Sequence, residues 1–192
     1  MLLLTLAWLL YGAIHSFMAS NFLKKIAEKI MGKNFRFYRI IFNILAFALL
    51  IPVFSVQFSI YKEALWQVSV YQSIIGKFIA IFGVLLISRA LQGYDLREFS
   101  GTDFNKSQEK NEFKSDGLLK YMRHPIYFGI LIFVWGMFVA DASTRSLTSA
   151  VAVTIYLFVG IYFEEKKLIE VFGEKYIKYQ HDVPMLIPFL KF

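Results

Sequence analysis

The sequence predicts an all-α integral membrane protein: five membrane-crossing helices, with a C-terminal amphipathic helix folded over the cytosolic end of the bundle. Three observations predict it. Of 192 residues, 57% are hydrophobic and only 18% charged, whereas a soluble domain is about a quarter charged. The apolar residues gather in long charge-free runs of roughly the length that crosses ~30 Å of hydrocarbon at 1.5 Å per residue. Lys and Arg cluster in alternate connections between those runs, as the positive-inside rule requires. Such a chain is neither disordered nor an ordinary soluble enzyme.

The elements follow in order. Met1 to Leu23 contains no Lys, Arg, Asp or Glu. It lacks a basic start and a small-residue cleavage site, so it is read as a retained helix and not a signal peptide. Ile40 to Tyr61 is the second run, and Ala64 to Ser88 the third, interrupted only by Lys77, which can snorkel. Pro125 to Ala140 is a shorter fourth run and Ser146 to Phe163 the fifth. In hydrocarbon every backbone polar group needs an internal partner, and helices supply one for unbroken runs such as these. No internal repeat is visible, and residues 1–192 are read as one domain.

Charge orients the bundle. Lys24, Lys25, Lys29, Lys33, Arg36 and Arg39 separate the first two runs. Arg97, Lys106, Lys110, Lys114, Lys120 and Arg123 separate the third and fourth, and Lys166, Lys167, Lys175, Lys178 and Lys191 follow the fifth. The other two connections hold only Lys62 and Arg145. The N-terminus is therefore expected outside and the C-terminus in the cytosol, in a multi-pass protein of a prokaryotic cytoplasmic membrane. The net charge of +7 then reflects topology and anionic lipid, with no call for nucleic acid. The absence of cysteine excludes disulfides, thiolate metal sites and cysteine nucleophiles. His15, His124 and His181 are widely separated and suggest no metal site.

The polar chemistry lies on the cytosolic face. Gly93-Tyr94-Asp95-Leu96-Arg97-Glu98-Phe99 interleaves aromatic and charged residues just past a membrane helix. There Arg97 is a candidate for holding an anionic substrate group, or for anchoring at the interface. Thr102 to Ser115 reads as a polar loop, either solvated or closing over a site. Pro125 suits the first turn of a helix. Arg123 and His124 then stand at that helix's N-terminus, where amides and the dipole favour an anion. Tyr127 and Gly129 follow, the glycine allowing close approach of a ligand or a neighbouring helix. Glu164 and Glu165, at the cytosolic end of the fifth run, oppose the helix dipole; Lys166 and Lys167 or a ligand cation would offset them. Leu168, Phe172, Tyr176 and Tyr179 continue at helical spacing to Gln180, an amphipathic pattern. His15 and Ser16 sit late in the first run, where an ionisable residue signals function or a packing hydrogen bond.

Taken together, Arg123-His124-Pro125-x-Tyr127-x-Gly129, Glu164-Glu165, Phe172-Gly173-x-x-Tyr176-x-x-Tyr179 and Val183-Pro184 resemble a known pattern. It is that of the integral-membrane methyltransferases of the isoprenylcysteine carboxyl methyltransferase and phospholipid methyltransferase group. The specific match runs from Gly117 to Pro188. The opening half is more loosely similar, through His15-Ser16 and Tyr38-Arg39, to NnrU-like membrane proteins. Leu119 departs from the pattern, which often has Tyr there.

The resemblance implies S-adenosylmethionine in a cytosolic pocket held by Arg123, His124, Pro125, Tyr127, Gly129, Glu164, Glu165, Tyr176 and Tyr179, with the terminal helix covering it. Arg97 and Tyr127 are the residues it sets nearest the reaction. The acceptor implied is a lipophilic molecule entering from the bilayer: an isoprenylcysteine-type carboxylate, a lipid amine or a small thiol. Two alternatives stand beside it. Sterol-reductase-like NADPH enzymes share a similar Arg-His-Pro helix, but Ile130 and Leu131 replace the acidic residue that often follows the glycine. A non-catalytic NnrU-like accessory protein is the other.

Overall fold

The computed structural model describes residues 1–94, 97, 113–188 and 190. Asp95, Leu96, Glu98 and Phe99, and most of the Thr102–Ser115 loop, lie outside the described residues. Every regular element described is helical; the one strand-like feature is an isolated bridge between Ala64 and Ser143. The chain divides into two compact units, Met1–Lys62 with Tyr94–Glu109, and Glu63–Gly93 with Lys110–Phe192.

In the first unit, α1 (Leu2–Ala19) and α3 (Tyr38–Ser59) pack on each other. His15 stacks between Tyr11 and Phe42, with centroids 5.6 and 5.0 Å away, and the Tyr38 hydroxyl donates to the Met18 carbonyl. The first helix stops at Ala19, before the expected Leu23. Ser20 is extended (φ −66°, ψ 147°), and its hydroxyl accepts from the Leu23 amide and so starts a second helix, α2 (Asn21–Met31). A 3₁₀ turn, Gly32–Phe37, then leads into α3, two residues ahead of the predicted Ile40. Arg97, helical and exposed, belongs to this unit.

In the second unit, α4 (Val70–Leu91) and α5 (Pro125–Asp141) run antiparallel at very close range. The reason is small residues on both faces. A Cβ added at Gly76 would stand 2.3 Å from the Ala140 amide nitrogen, and one at Gly136 2.5 Å from that of Ala80. One at Gly83 would meet the Gly129 carbonyl at 2.6 Å, and one at Gly129 the Ile87 side chain at 2.6 Å. Without apolar attraction between helices in lipid, such close backbone packing is what holds them. Gly129 thus faces a neighbouring helix. Gln72 Nε2 adds a hydrogen bond to the Val139 carbonyl, 3.1 Å.

The third helix begins at Val70, six residues later than expected. Ser69 caps it by accepting from the Gln72 amide, while the preceding Glu63–Leu65 segment runs beside the turn that follows α5. There the Leu65 amide donates to Ala142 and the Thr144 amide to Glu63. Ala142 turns the chain in the left-handed region (φ 43°), and Ser143 with Ser146 forms a capping box.

That box starts α6 (Thr144–Phe172), which continues without a break past the expected Phe163. It ends at Gly173, whose φ of 54° and ψ of −134° suit only glycine. The amphipathic pattern read as one helix is therefore two pieces, the end of α6 and α7 (Glu174–Asp182).

The surface confirms the solvent. Leu2, Phe47, Tyr71, Phe78, Leu85 and Tyr162 are all exposed large hydrophobics, a pattern water does not tolerate over whole helices. Among the described residues, four helical stretches are long and apolar enough to cross a membrane: Leu2–Ala19, Asn21–Ser59, Val70–Leu91 and Thr144–Phe172. At 17 residues, α5 is apolar but shorter.

Candidate functional site at the helix ends

The second unit gathers its polar side chains where α5 begins and α6 ends. Pro125 opens α5, with His124 as the N-cap residue. Just before it, the Arg123 and His124 amides donate to the Pro184 and Met185 carbonyls, 2.9 and 3.0 Å. Arg123 Nη1 donates to the carbonyls of Gln180 and Val183, 2.9 and 2.6 Å. Four hydrogen bonds thus lace the C-terminal tail to the start of α5.

Glu165 is the hub. Its Oε1 accepts from Arg123 Nε at 2.6 Å and lies 3.0 Å from His124 Nε2 and 3.4 Å from the Tyr176 hydroxyl. Its Oε2 accepts from Gln180 Nε2 at 2.9 Å. The Arg123 and Glu165 side chains are only 8% and 12% exposed, so the pair sits where an uncompensated charge would be costly. The gap at Gly173 makes this possible, because it turns α7 back to bring Tyr176 and Gln180 onto the last turns of α6.

Glu164 behaves differently. Its side chain is 44% exposed, and Oε2 accepts from the Tyr127 hydroxyl at 2.7 Å, with His124 Nδ1 at 3.8 Å. His124 and Tyr127 stack in parallel, centroids 5.4 Å apart. Two adjacent acids, 100° apart around the helix, are thereby given separate surroundings: Glu165 closed and charge-paired, Glu164 open to the outside.

The aromatic wall was only half legible. Tyr176 is 2% exposed, and burial, followed by the nearby Glu165 charge, raises its phenol above the ordinary tyrosine range. Tyr179 donates to the Leu119 carbonyl at 2.6 Å, so the bond uses backbone and is indifferent to leucine standing where the resemblance has tyrosine. Phe113, which sequence reasoning passed over, meets Phe172, Tyr176 and Tyr179 edge-on at 5.4, 6.1 and 5.1 Å. Two cavities border this cluster. One of about 330 Å³ is lined by Phe113, Gly117 and Leu119, and one of about 380 Å³ by Tyr179, Lys175 and Lys178.

Of the residues singled out in the sequence, the structure therefore brings together Arg123, His124, Pro125, Tyr127, Glu164, Glu165, Tyr176 and Tyr179. Gly129 packs on α4 instead, and Arg97 falls in the first unit. Gln180 and the tail carbonyls were missed, since backbone acceptors carry no residue signature. Among the described residues no group of three or more His, Asp or Glu is arranged to hold a metal ion.

Apolar helices with a buried Arg–Glu–His cluster at their ends define a polytopic membrane protein with a built polar site. The chain belongs to the DUF1295 family: the family's model, described as a protein of unknown function, matches residues 17–183. It is 36% identical over 110 residues to a methanethiol S-methyltransferase of Bradyrhizobium diazoefficiens, covering 57% of this chain and 38% of that protein. To a methanethiol S-methyltransferase of Pseudomonas deceptionensis it is 42% identical over 79 residues, covering 41% and 29%. To a protein-S-isoprenylcysteine O-methyltransferase of Xenopus laevis it is 28% identical over 144 residues, covering 72% and 47%. The chain spans less than half the length of these curated relatives.

Proposed function

We propose that the chain transfers a methyl group from S-adenosylmethionine to a lipophilic acceptor reaching it from the bilayer. The observation that carries this reading is the division of labour between the two acids. Glu165 is saturated by Arg123, His124, Gln180 and Tyr176, while Glu164 holds its carboxylate outward beside Tyr127. The names of the matched relatives, all methyltransferases, support it.

The donor set fits the cofactor. Three of the five N–H groups of Arg123 are engaged, which leaves Nη2 to donate a single charge-assisted bond to a carboxylate oxygen. The N-terminus of α5 adds its dipole. Glu164 suits an ammonium or ribose hydroxyls, and the Phe113–Tyr179 cluster with its cavities suits an adenine ring. Glu165 holds Arg123 and His124 in position without needing to touch the ligand. When bound, the cofactor supplies an activated methyl carbon whose displacement needs no protein nucleophile.

The protein's part is then to orient and to exclude water. Tyr127, tethered by Glu164, stands at the open side, and α7 with the laced tail closes the other. In this reading α5 is a fifth, short span, the site faces the cytosol, and α7 is its cover. Of the three acceptor types, a small thiol and a prenylcysteine carboxylate each have a counterpart among the relatives' names.

The test is methyl transfer by full-length protein in nanodiscs, using labelled S-adenosylmethionine with methanethiol, longer alkyl thiols and a farnesylcysteine analogue. The reading expects label in at least one acceptor and its loss in Glu164→Gln. Label in none, from folded protein that also fails to bind S-adenosylhomocysteine, overturns it.

A further inference from the structure

The helix that the sequence reading passed over, α2, has two sharply divided faces. At 100° per residue, Phe22, Ile26, Ile30, Leu23, Ala27 and Met31 fill one continuous half of its circumference, and Lys24, Glu28, Asn21, Lys25 and Lys29 fill the other. The apolar half is itself divided. Leu23, Ala27 and Met31 are half-buried against the rest of the first unit. Phe22, Ile26 and Ile30 stay 66%, 38% and 78% exposed, with Lys25 and Lys29 along their edge, also exposed.

Three large side chains open side by side on a helix already packed on its adjoining side form an apolar patch of the kind that marks a contact surface. The two helices that flank α2 identify the missing medium. Exposed leucines and Phe17 line α1, and exposed isoleucine, leucine and phenylalanine line α3; α2 joins the two helices through one extended residue, Ser20, and a short 3₁₀ turn. It therefore emerges at the membrane edge. Its own charges, and those of the turn that follows, are Lys24, Lys25, Lys29, Lys33 and Arg36 against the single acid Glu28.

We propose that α2 is an interfacial helix that binds the anionic phospholipid surface of one leaflet. Phe22, Ile26 and Ile30 enter the acyl boundary, and Lys25 and Lys29 extend upward to the phosphate and glycerol headgroups. The occupant is a lipid bilayer with negative headgroups. The charge balance argues for it, as does the 6.4 Å ring contact that joins Phe22 to the exposed Phe17 of α1. The inference stands independently of methyl transfer.

The chain has no cysteine, so a single introduced thiol carries a label at one known place. Ile26→Cys and, as the polar-side control, Glu28→Cys, each labelled with an environment-sensitive dye, are compared in full-length protein reconstituted in phosphatidylcholine vesicles with added phosphatidylglycerol. The expected result is blue-shifted emission at position 26 and water-like emission at 28. Quenching at 26 by nitroxide-bearing phosphatidylglycerol should exceed that by nitroxide-bearing phosphatidylcholine. Lys25→Gln and Lys29→Gln should each reduce that preference, by up to about fivefold per lysine. Water-like emission at both positions overturns the proposal. So does equal quenching by the two lipids, or a blue shift at 26 that vanishes when protein is diluted at constant lipid, which would make a second copy the occupant.

Discussion

Arg123 Nε and Glu165 Oε1 meet at 2.6 Å across 42 residues of sequence, and the same guanidinium holds the carbonyls of Gln180 and Val183. One side chain thereby joins the start of α5, the end of α6 and the C-terminal tail.

Replacing Arg123 by Ala leaves Glu165 charged and partly enclosed while releasing the tail. The expected loss is about 3 kcal/mol, in the range for a buried pair broken on one side. Arg123→Lys keeps the charge but gathers its donors on one nitrogen, which cannot stand at both the Nε and the Nη1 positions, and should fall between the parent and Arg123→Ala. Thermal unfolding in detergent orders the three proteins. Three equal midpoints would show that the pair is not a structural tie.

The α4–α5 contact predicts opposite effects for two glycines. At Gly136 a methyl group would stand 2.5 Å from the Ala80 amide nitrogen and 2.9 Å from the Gly76 carbonyl, backbone atoms that cannot swing away. Gly136→Ala should cost about 1–3 kcal/mol. At Gly160 nothing lies within 4 Å, and Gly160→Ala should be neutral or stabilising by up to about 1 kcal/mol through helix propensity. Unfolding midpoints decide. Equal effects at both positions would mean that α4 and α5 are not in backbone contact.

Gly173 has open space around it but a backbone conformation other residues rarely adopt. Gly173→Ala should cost about 1–3 kcal/mol from strain alone and loosen α7, which limited proteolysis of the tail would register. Resistance equal to the parent's would remove Gly173 as the hinge between the two helices.

Tyr176 gives a pH dependence. Its phenol is raised by burial first and the Glu165 charge second, so the folded state holds the proton more tightly than the unfolded chain. That contribution is complete below the ordinary tyrosine value of about 10 and is lost as pH rises above it. Between pH 8 and pH 11 the parent should lose more stability than Tyr176→Phe does. Parallel loss in the two proteins would indicate that the hydroxyl reaches water.

Much of this was legible in the sequence, and the misreadings share causes. Charge-free runs locate helices but not their ends. Ala64–Ser69 continues the charge-free run, yet it is not helical: Ala64 bridges Ser143, Leu65 and Trp66 bend, and only the Ser69 cap marks the start of α4. Likewise Ser20 ends α1 inside a run that carries no charge, so α2 was absorbed into its neighbours. At the site, Arg123, His124, Tyr127 and Glu164–Glu165 stood out by residue type and spacing. Their partners did not, because the Gln180, Val183, Pro184 and Met185 carbonyls are backbone and Phe113 lies in a stretch whose pattern is polar. The different roles of Glu164 and Glu165 come from rotation about α6, which only the position of α7 turns into enclosure for one and exposure for the other.

The central claim, that the helix ends form a site for S-adenosylmethionine, is tested most directly by calorimetric titration of full-length protein with S-adenosylhomocysteine, in parent and Glu164→Gln. The account predicts saturable binding by the parent, and on the order of tenfold weaker binding by the variant as one charge-assisted contact is lost, with unfolding midpoints unchanged because Glu164 is open to solvent. Binding of equal strength in both would contradict the placement of the site, and no binding by the folded parent would contradict the claim itself.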